Sequence, residues 1–447
     1  MQLGNSGVEE IEELPIFIDA DGNRTFVQMA DAAATDFRIP FTREHVESTL
    51  NSYSPTRVAT DPLASLGTTL FLALFQGIHG RELWQRMAQA ERVDHGLRLR
   101  ICSDVERTQH LPWELLFDPS RRDFVSLSGR VALVRTRGRR FRNSAPPLPL
   151  TQLRVLAVEA DVTGDMRTGE DIAILKRLAS EYPSRIALTT IVDATPETLS
   201  EALRRDKYDV FHFAGTGEVL PYVSRRGGLR QALKLFGTTT PGAGGNEPNA
   251  DDADDADDSG TLVDRQDLGK MLKRAEVRLA VLNACHTDWI ARSLAKYIPA
   301  AIGISELVSV ETALALAESL YRSVAAGNAI DFSVTGARQA VDRASPGNGD
   351  WCKIIFYLQE AHGGFLLQPP AAAPAAAAPQ AALGASKEVL KLSRLAEVYE
   401  RNLATLERAA AAGSAGNATT DAQIADLRHR REQLNQQLAE LRLQEPA

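Results

Sequence analysis

A regular alternation of apolar and helix-forming segments constrains the fold of this chain more than any other feature. Between residues 153 and 304, short apolar runs of strand length are separated by segments with helical periodicity. The strand-like runs are LRVLAVEA at 153–160, IALTTIVD at 186–193, YDVFHFAG at 208–215, RLAVLNAC at 278–285 and AAIGI at 300–304. Because strands that alternate with helices pair in parallel and are buried on both faces, the pattern predicts a parallel sheet covered by helices.

The carboxyl ends of the predicted strands are where reactive side chains are expected, because ligands collect beyond those ends in open parallel sheets. Gly215, Thr216 and Cys285 stand at two of these ends. The segment before residue 151 also mixes helical periodicity with strand-like runs, LRLRIC at 97–102 and VALVR at 131–135. That mixture indicates a preceding α/β subdomain.

The C-terminal part of the chain has a different composition. Residues 368–386, QPPAAAPAAAAPQAALGAS, contain four prolines among alanines and are typical of an extended linker. Beyond it, residues 387–445 carry two a/d seams of apolar residues on either side of a flexible turn, which predicts an antiparallel α-helical hairpin. Such short helices leave apolar surface uncovered, so the hairpin either binds a protein partner or folds back on the main domain. The reach of the linker favours a partner.

Composition and charge exclude several classes of function. No run of eighteen apolar residues occurs, and the acidic start MQLGNSGVEEIEELP lacks the features of a signal peptide, so we expect a cytoplasmic protein without a membrane span. Three scattered cysteines do not make a disulfide framework. The net charge is −8, and the basic cluster at 135–142 stands beside prolines and is interpreted as a solvated connector. We therefore expect no nucleic-acid binding.

An acidic run interrupts the alternation of strands and helices. Residues 246–258 include EPNADDADDADD, whose seven acids account for most of the net charge and are typical of a disordered loop. Solubility is its predicted role, and binding of a basic partner or of Ca²⁺ is the alternative. The run lacks the glycine turn and the spacing of an EF-hand loop. Otherwise the sequence indicates no cofactor and no metal site.

Three motifs in order resemble the CHAT family, whose domain is related to caspases and separases. They are HLPWELLFDP at 110–119, VFHFAGTGE at 210–218 and VLNACHTD at 281–288. The resemblance implies a caspase-like three-layer α/β fold with a mostly parallel sheet. It divides the chain into an N-terminal tail at 1–14, an N-terminal CHAT subdomain and connector at 15–150, a caspase-like core at 151–367, the linker and the helical hairpin.

The resemblance also implies a cysteine-peptidase site, with one departure from the family. In the family a histidine beside the cysteine takes the thiol proton, and backbone amides bind the oxyanion of the substrate carbonyl. Cys285 matches the nucleophile, and Gly217 is the candidate oxyanion amide. Thr216 stands where the family has its histidine. Threonine cannot accept a proton near neutral pH, so a loss of about a hundredfold to ten-thousandfold in rate is expected.

Two nearby histidines are the alternative general bases. His212 lies four residues before Thr216, roughly 13 Å back along the strand, and is interpreted as structural. His286 directly follows Cys285, and a turn at this point would bring its ring closer to the thiol. It therefore stays a possible base.

The remaining polar and aromatic residues of the motifs are interpreted as structural. Asn283 lies two residues before Cys285, where some caspase relatives that cleave after basic residues have an acid, so a basic preference is unsupported. Asp288 and Glu218 are interpreted as solvated caps at helix and strand ends. The residues assigned to packing are Cys102, His110, Trp113, Glu114, Leu115, Leu116, Trp289, Trp351 and Cys352.

Two functions are compatible with these residues. The first is a degenerate cysteine-peptidase module, inactive or of low activity, that acts as a scaffold or regulator while its hairpin binds a protein partner. The family resemblance implies a bacterial signalling or defence complex as the context. The second is an active cysteine endopeptidase, in which Cys285 attacks a peptide or protein substrate with His286 or a partner-supplied group as the base. Restoring histidine at Thr216 distinguishes the two.

Overall fold

The computed structural model describes most of the chain up to Leu367. The described residues are 11–29, 32–52, 62–75, 78–92, 96–139, 149–161, 167–220, 230–236, 260–360, 366–367, 428 and 432. The chain divides into two units, Met1–Pro370 and Ala371–Ala447. Arg428 and Glu432 are the described residues of the second unit, and both are helical. The predicted linker, the rest of the predicted hairpin and the acidic loop 246–258 lie outside the described residues.

The first unit is built from short strands and helices. Its strands are β1 Ile11–Asp21, β2 Arg24–Met29, β3 Thr35–Asp36, β4 Gly96–Ser103, β5 Phe117–Asp118, β6 Asp123–Phe124, β7 Val131–Thr136, β8 Leu153–Ala160, β9 Ile186–Ile191, β10 Val210–Leu220, β11 Arg230–Phe236, β12 Gly260–Asp264, β13 Leu279–Asn283, β14 Ala300–Ile304 and β15 Ile354–Leu358. Its helices are α1 Arg43–Ser52, α2 Pro62–Leu74, α3 Ile78–Arg92, α4 Thr168–Glu181, α5 Pro196–Arg205, α6 Arg265–Arg274, α7 Asp288–Leu294, α8 Val310–Ala325 and α9 Ile330–Ala344. Within the described ranges, no single helix is long and apolar enough to cross a membrane.

Most of the strands form one large sheet. Thirteen of the described strands lie in it in the order β9, β8, β10, β13, β14, β15, β7, β4, β1, β2, β3, and β11 and β12 are added beside the end of β10. Pairing is parallel from β9 to β14 and again from β15 to β1, and it is antiparallel between β14 and β15. The predicted mostly parallel sheet is confirmed.

Helices cover both faces of this sheet and make three layers. Val155 and Ala157 of β8 enter one apolar core, together with residues of α4, α8 and α9. Leu156 and Val158 enter a second core on the opposite face, with residues of α5, α6 and α7. A strand that is buried on both faces reads as a continuous apolar run, which explains the sequence pattern. The predicted α/β class is confirmed.

Several element boundaries differ from the sequence-based prediction. β1 begins at Ile11, inside the segment predicted as a tail, because its backbone pairs with β4 from that residue onward. β10 continues to Leu220, because a second strand, β11, pairs with its far end. β13 ends at Asn283, two residues earlier than predicted. Cys352 is buried, as expected, and it lies in the 3₁₀ turn Asp350–Lys353.

The basic cluster at 135–142 is not a solvated connector at its first residue. Arg135 on β7 is buried, and its Nε donates to Glu114 Oε1 at 3.0 Å. Arg338 of α9 is also buried and lies 3.6 Å from the same carboxylate. A buried carboxylate needs charged or hydrogen-bonding partners, so this arrangement confirms the structural role predicted for Glu114. It also places Arg135 in the core.

Candidate functional site

β10 and β13 bring the two predicted site positions to one edge of the sheet. The two strands are parallel neighbours, and their last register pair is Ala214 with Asn283. Thr216 and Cys285 each stand two residues beyond that pair. Because neighbouring strands lie about 4.8 Å apart, both positions reach the same part of the carboxyl edge.

The turn after β13 is held by a buried threonine. Thr287 Oγ1 donates to the carbonyl of Ala284 at 2.7 Å and accepts from the backbone N–H of Ile304 at 3.1 Å. The Thr287 backbone N–H donates to the Ile304 carbonyl at 2.8 Å. Cys285 lies inside this turn, so its backbone is fixed against the end of β14.

The Cys285 thiol is partly buried, and its surroundings act on its pKa in both directions. Burial raises the pKa above the ordinary value of 9.0, and the charge of Asp350 adds to that shift. Hydrogen bonding from the Val308 backbone N–H and the charge of Lys353 lower it. Burial dominates, so the thiol stays largely protonated at neutral pH and needs a base to become a nucleophile.

Gly215 marks the point at which β10 changes partners. Its own partner is Ala160 in the parallel strand β8, and from the next residue onward the pairing is antiparallel with β11. A Cβ at position 215 would lie 2.6 Å from the Ala160 carbonyl oxygen and 2.7 Å from the ring of Phe213. Only glycine fits this close approach. The strand therefore passes through the point at which it was predicted to end.

The residues at the predicted base position belong to the antiparallel part of β10. Thr216 pairs with Lys234 of β11, and Gly217 pairs with Leu233. The structure describes the backbone of residues 216–220 and not their side chains. The roles assigned to Thr216 and Gly217, and the cap role of Glu218, therefore stay predictions.

His212 is a structural residue, as predicted. Its side chain is fully buried, with Nε2 2.9 Å from Asp171 Oδ2 and Nδ1 3.1 Å from the Tyr321 hydroxyl. Asp171 comes from α4 and Tyr321 from α8, so the histidine joins two helices to the sheet. Both ring nitrogens have partners, which leaves neither for the Cys285 thiol.

Asp171 is the polar residue beneath the site that sequence reasoning missed. Its Oδ2 also accepts from Asn283 Nδ2 at 2.8 Å, and the same amide nitrogen donates to the Ala313 carbonyl at 3.0 Å. The other oxygens, Asp171 Oδ1 and Asn283 Oδ1, are buried without a hydrogen-bond partner. Asn283 therefore points into the core beside a carboxylate. The acidic pair at positions 170 and 171 in the first turn of α4 was the available signal.

His286 follows Cys285 in an unusual backbone conformation. Its φ is 56°, in the left-handed region, and the residue is half-buried. For a non-glycine residue this conformation costs of the order of 1 kcal/mol. His286 thus lies in the turn that follows β13. Its role as a base stays a prediction.

Asp288 is not the solvated cap that the sequence predicted. It lies half-buried in the first turn of α7. Burial raises its pKa from 3.8 to about 7, Glu306 adds to the shift, and a backbone hydrogen bond from Trp289 and the charge of Arg135 oppose it. A carboxyl three residues from Cys285 therefore titrates near neutral pH.

The aromatic residues that were assigned to packing do pack. Trp113 and Trp351 are buried in the core. Trp289 is half-buried, and the guanidinium groups of Arg43 and Arg292 lie over its ring, 5.9 and 5.4 Å from the centroid. Across the described ranges, no three His, Cys, Asp or Glu side chains group in a way that could hold a metal ion.

Two further residues near Cys285 had no functional interpretation from the sequence. Lys353 and Asp350 act on the thiol from the turn before β15. The available signal was the spacing of the two charges, three residues apart at the entrance of an apolar strand. That spacing alone does not identify the loop that they contact.

Comparisons with known proteins are consistent with the motifs. The sequence model described as the CHAT domain matches residues 77–357, which is more than half of the chain. No curated protein matches the sequence. Among solved structures, a chain of the Saccharomyces cerevisiae separase–securin complex aligns with a TM-score of 0.39 and 12% identity, over 78% of this chain and 30% of that chain. This chain thus spans less than a third of that chain's length, and a likeness this distant assigns neither fold nor function.

Proposed function

The chain belongs to the CHAT domain family, and on that premise we propose that it is a degenerate cysteine-peptidase module that acts as a scaffold or regulator. The module keeps the cysteine position and the sheet edge of a peptidase but has a threonine at the position of the base. Its predicted C-terminal hairpin recruits a protein partner, in a bacterial signalling or defence complex.

The difference between the two strand ends carries this proposal. Cys285 lies in a turn that Thr287 holds in place, and its thiol has a raised pKa. Such a thiol reacts slowly unless a base removes its proton. The neighbouring position has Thr216, whose hydroxyl is not a base at neutral pH. The two ring nitrogens of His212, the histidine of β10, are bonded to Asp171 and Tyr321.

An active endopeptidase is the second candidate, and one observation favours it. The Cys285 thiol is only partly buried, and both the Val308 amide and the Lys353 charge favour its thiolate. A base supplied by His286 or by a bound partner would complete such a site. This enzyme would be silent in isolation if the base came from the partner.

Covalent labelling of Cys285 by a peptidyl electrophile separates the two candidates. The test compares the unchanged protein with Cys285→Ala and Thr216→His, each alone and with cell extract. Thr189→His on the exposed edge strand β9 is the matched control, because it adds the same imidazole far from the cysteine. We expect labelling with Thr216→His to be about a hundredfold faster than in the unchanged protein, and Thr189→His to have no effect.

Each outcome has a definite meaning. Labelling of the unchanged protein that disappears in Cys285→Ala would contradict the degenerate site and favour the active enzyme. An unlabelled Thr216→His variant that still folds would show that the cleft geometry has been lost.

Recruitment of a partner is tested in the same extract with the full chain and with a Leu403→Asp/Leu434→Asp variant, which places a charge in each predicted apolar seam of the hairpin. We expect the variant to lose a protein that the unchanged chain binds.

A further inference from the structure

A short loop between β14 and α8 follows the strand end to which the cysteine turn is bonded. It comprises residues 305–309, and its Val308 backbone N–H lowers the pKa of the Cys285 thiol. The loop starts directly after Ile304, which is bonded to Thr287 of the cysteine turn. The loop and the cysteine turn are therefore two parts of one connected wall of the site.

The loop is fastened on its other side to the turn that precedes β15. The Ser305 backbone N–H donates to the Lys353 carbonyl at 2.9 Å. Lys353 Nζ donates to the Leu307 carbonyl at 2.8 Å. The Ser309 backbone N–H donates to Asp350 Oδ2 at 3.2 Å. The first, third and fifth residues of the loop are thus tied to one lysine and one aspartate.

Lys353 and Asp350 form a buried ion pair. Nζ lies 2.9 Å from Oδ1, and the two residues are 8% and 5% exposed. Asp350 Oδ2 also accepts from Thr312 Oγ1 at 2.8 Å and from Asn348 Nδ2 at 3.0 Å. Burying two charges costs about as much as their attraction returns, so net stability alone does not explain a lysine here. Its contacts with the loop suggest a positional role.

We propose that Lys353, oriented by Asp350, is a positioning residue that holds the 305–309 loop against the turn of Cys285. The inference rests on the proposed function in one respect, namely that Cys285 occupies the nucleophile position. It extends that function by naming the group that prepares the thiol for reaction. The same clamp holds Leu307, an apolar side chain that is 66% exposed, at the rim of the site.

The two charges of the pair act on the thiol with opposite signs. Lys353 lowers the pKa of Cys285 and Asp350 raises it, while His286 follows on the same turn as the cysteine. Removing the lysine therefore removes a favourable charge and also releases the loop, and both effects raise the pKa of the thiol. Neutralising the aspartate has two opposed effects, because loss of its charge lowers that pKa and loss of its bonds to Lys353 and Ser309 releases the loop.

The pH profile of Cys285 alkylation tests this proposal. The full chain is treated with iodoacetamide between about pH 6.5 and pH 10, and modification of each cysteine is followed by peptide mass spectrometry. We expect Lys353→Met to slow Cys285 alkylation about fivefold at pH 8 and to move the profile to higher pH. Lys353→Arg should restore most of the rate. Lys270→Met is the matched control, because Lys270 also pairs with an aspartate three residues earlier, on the exposed surface of α6.

The buried cysteines Cys102 and Cys352 report whether a variant stays folded, since each is about 2% exposed or less and reacts only on unfolding. A folded Lys353→Met variant with an unchanged profile would overturn the proposal. If that variant unfolds, Asp350→Asn decides, because it removes the carboxylate that orients Lys353 and holds Ser309 and should slow alkylation about twofold at pH 8. Alkylation of Asp350→Asn as fast as that of the unchanged protein, or faster, would also overturn it, because loss of the negative charge alone predicts that result. The readout needs no peptidase turnover, so it is independent of the Thr216→His result.

Discussion

β10 and β13 run side by side as far as Ala214 and Asn283, and beyond that pair the two segments are built differently. β13 stops at Asn283 and enters a turn that Thr287 bonds to the neighbouring strand. β10 continues past Thr216 as an antiparallel ribbon with β11. One strand gives way to a turn around Cys285, and the other continues with a new partner. The difference teaches that two neighbouring strands of one sheet can leave the same register pair in different ways.

A single carboxylate lies beneath both ends and joins them. Asp171 accepts from Asn283 on β13 and is 2.9 Å from the ring nitrogen of His212 on β10. The three side chains are buried. The two strands therefore share one buried carboxylate, and its loss should destabilise both.

Loss of Asp171 should have the largest effect on the two strands. Asp171→Ala removes a carboxylate that bonds to both His212 and Asn283, so each of these buried side chains loses a hydrogen-bond partner. We expect the free energy of unfolding to fall by about 4 kcal/mol, measured by urea denaturation. Asp267→Ala is the control, because that carboxylate pairs with Lys270 on the exposed surface, and its effect should stay within about 0.5 kcal/mol. An effect of Asp171→Ala as small as that of the control would show that the two strands do not depend on this carboxylate.

The sheet core could be predicted from sequence because its strands are buried on both faces. A central parallel strand must be apolar at nearly every position, so β8 is visible as LRVLAVEA without any alignment. The antiparallel continuation of β10 could not be predicted in this way. Only its backbone pairing distinguishes it from a loop, and the glycine at 215 that permits the change of partner also occurs in ordinary turns.

The polar contacts of the site were harder to predict because they join distant parts of the chain. Asp171 and Asn283 are 112 residues apart, and Lys353 and Leu307 are 46 residues apart. Periodicity shows which face of an element is buried but not which polar side chains meet there. The same limit applies to Asp288, because the burial that raises its pKa comes from elements elsewhere in the chain.

Gly215→Ala tests whether β10 needs the close approach of Gly215 to β8 at the point where it changes partners. The added Cβ would lie 2.6 Å from the Ala160 carbonyl oxygen, so the two strands must separate or β10 must stop pairing there. We expect a loss of about 3 kcal/mol in thermal or urea unfolding. Gly336→Ala is the control, because it lies inside α9 with nothing within 4 Å of the new Cβ, and it should be neutral or stabilising by about 0.5–1 kcal/mol. Equal effects at the two glycines would contradict the close approach.

The pH dependence of stability reports on the segment that follows β13, because Asp288 lies three residues beyond Cys285. Its pKa is raised to about 7 in the folded chain, so the folded state holds the proton more tightly than the unfolded chain does. Stability therefore falls as the pH rises from about 4 through about 7, and the full penalty is present above that range.

Asp288→Asn removes this titration and should leave stability unchanged near pH 4. At pH 8 we expect it to raise the free energy of unfolding by about 2 kcal/mol, less than the full shift implies because the side chain keeps contact with solvent. Urea denaturation at both pH values measures the difference, and Asp267→Asn on the exposed face of α6 should show no comparable change. A gain of the same size at both pH values would mean that the aspartate is disfavoured by its shape rather than its charge. A gain confined to pH 8 would show that the ionised Asp288 carboxylate beside the cysteine turn destabilises the folded protein.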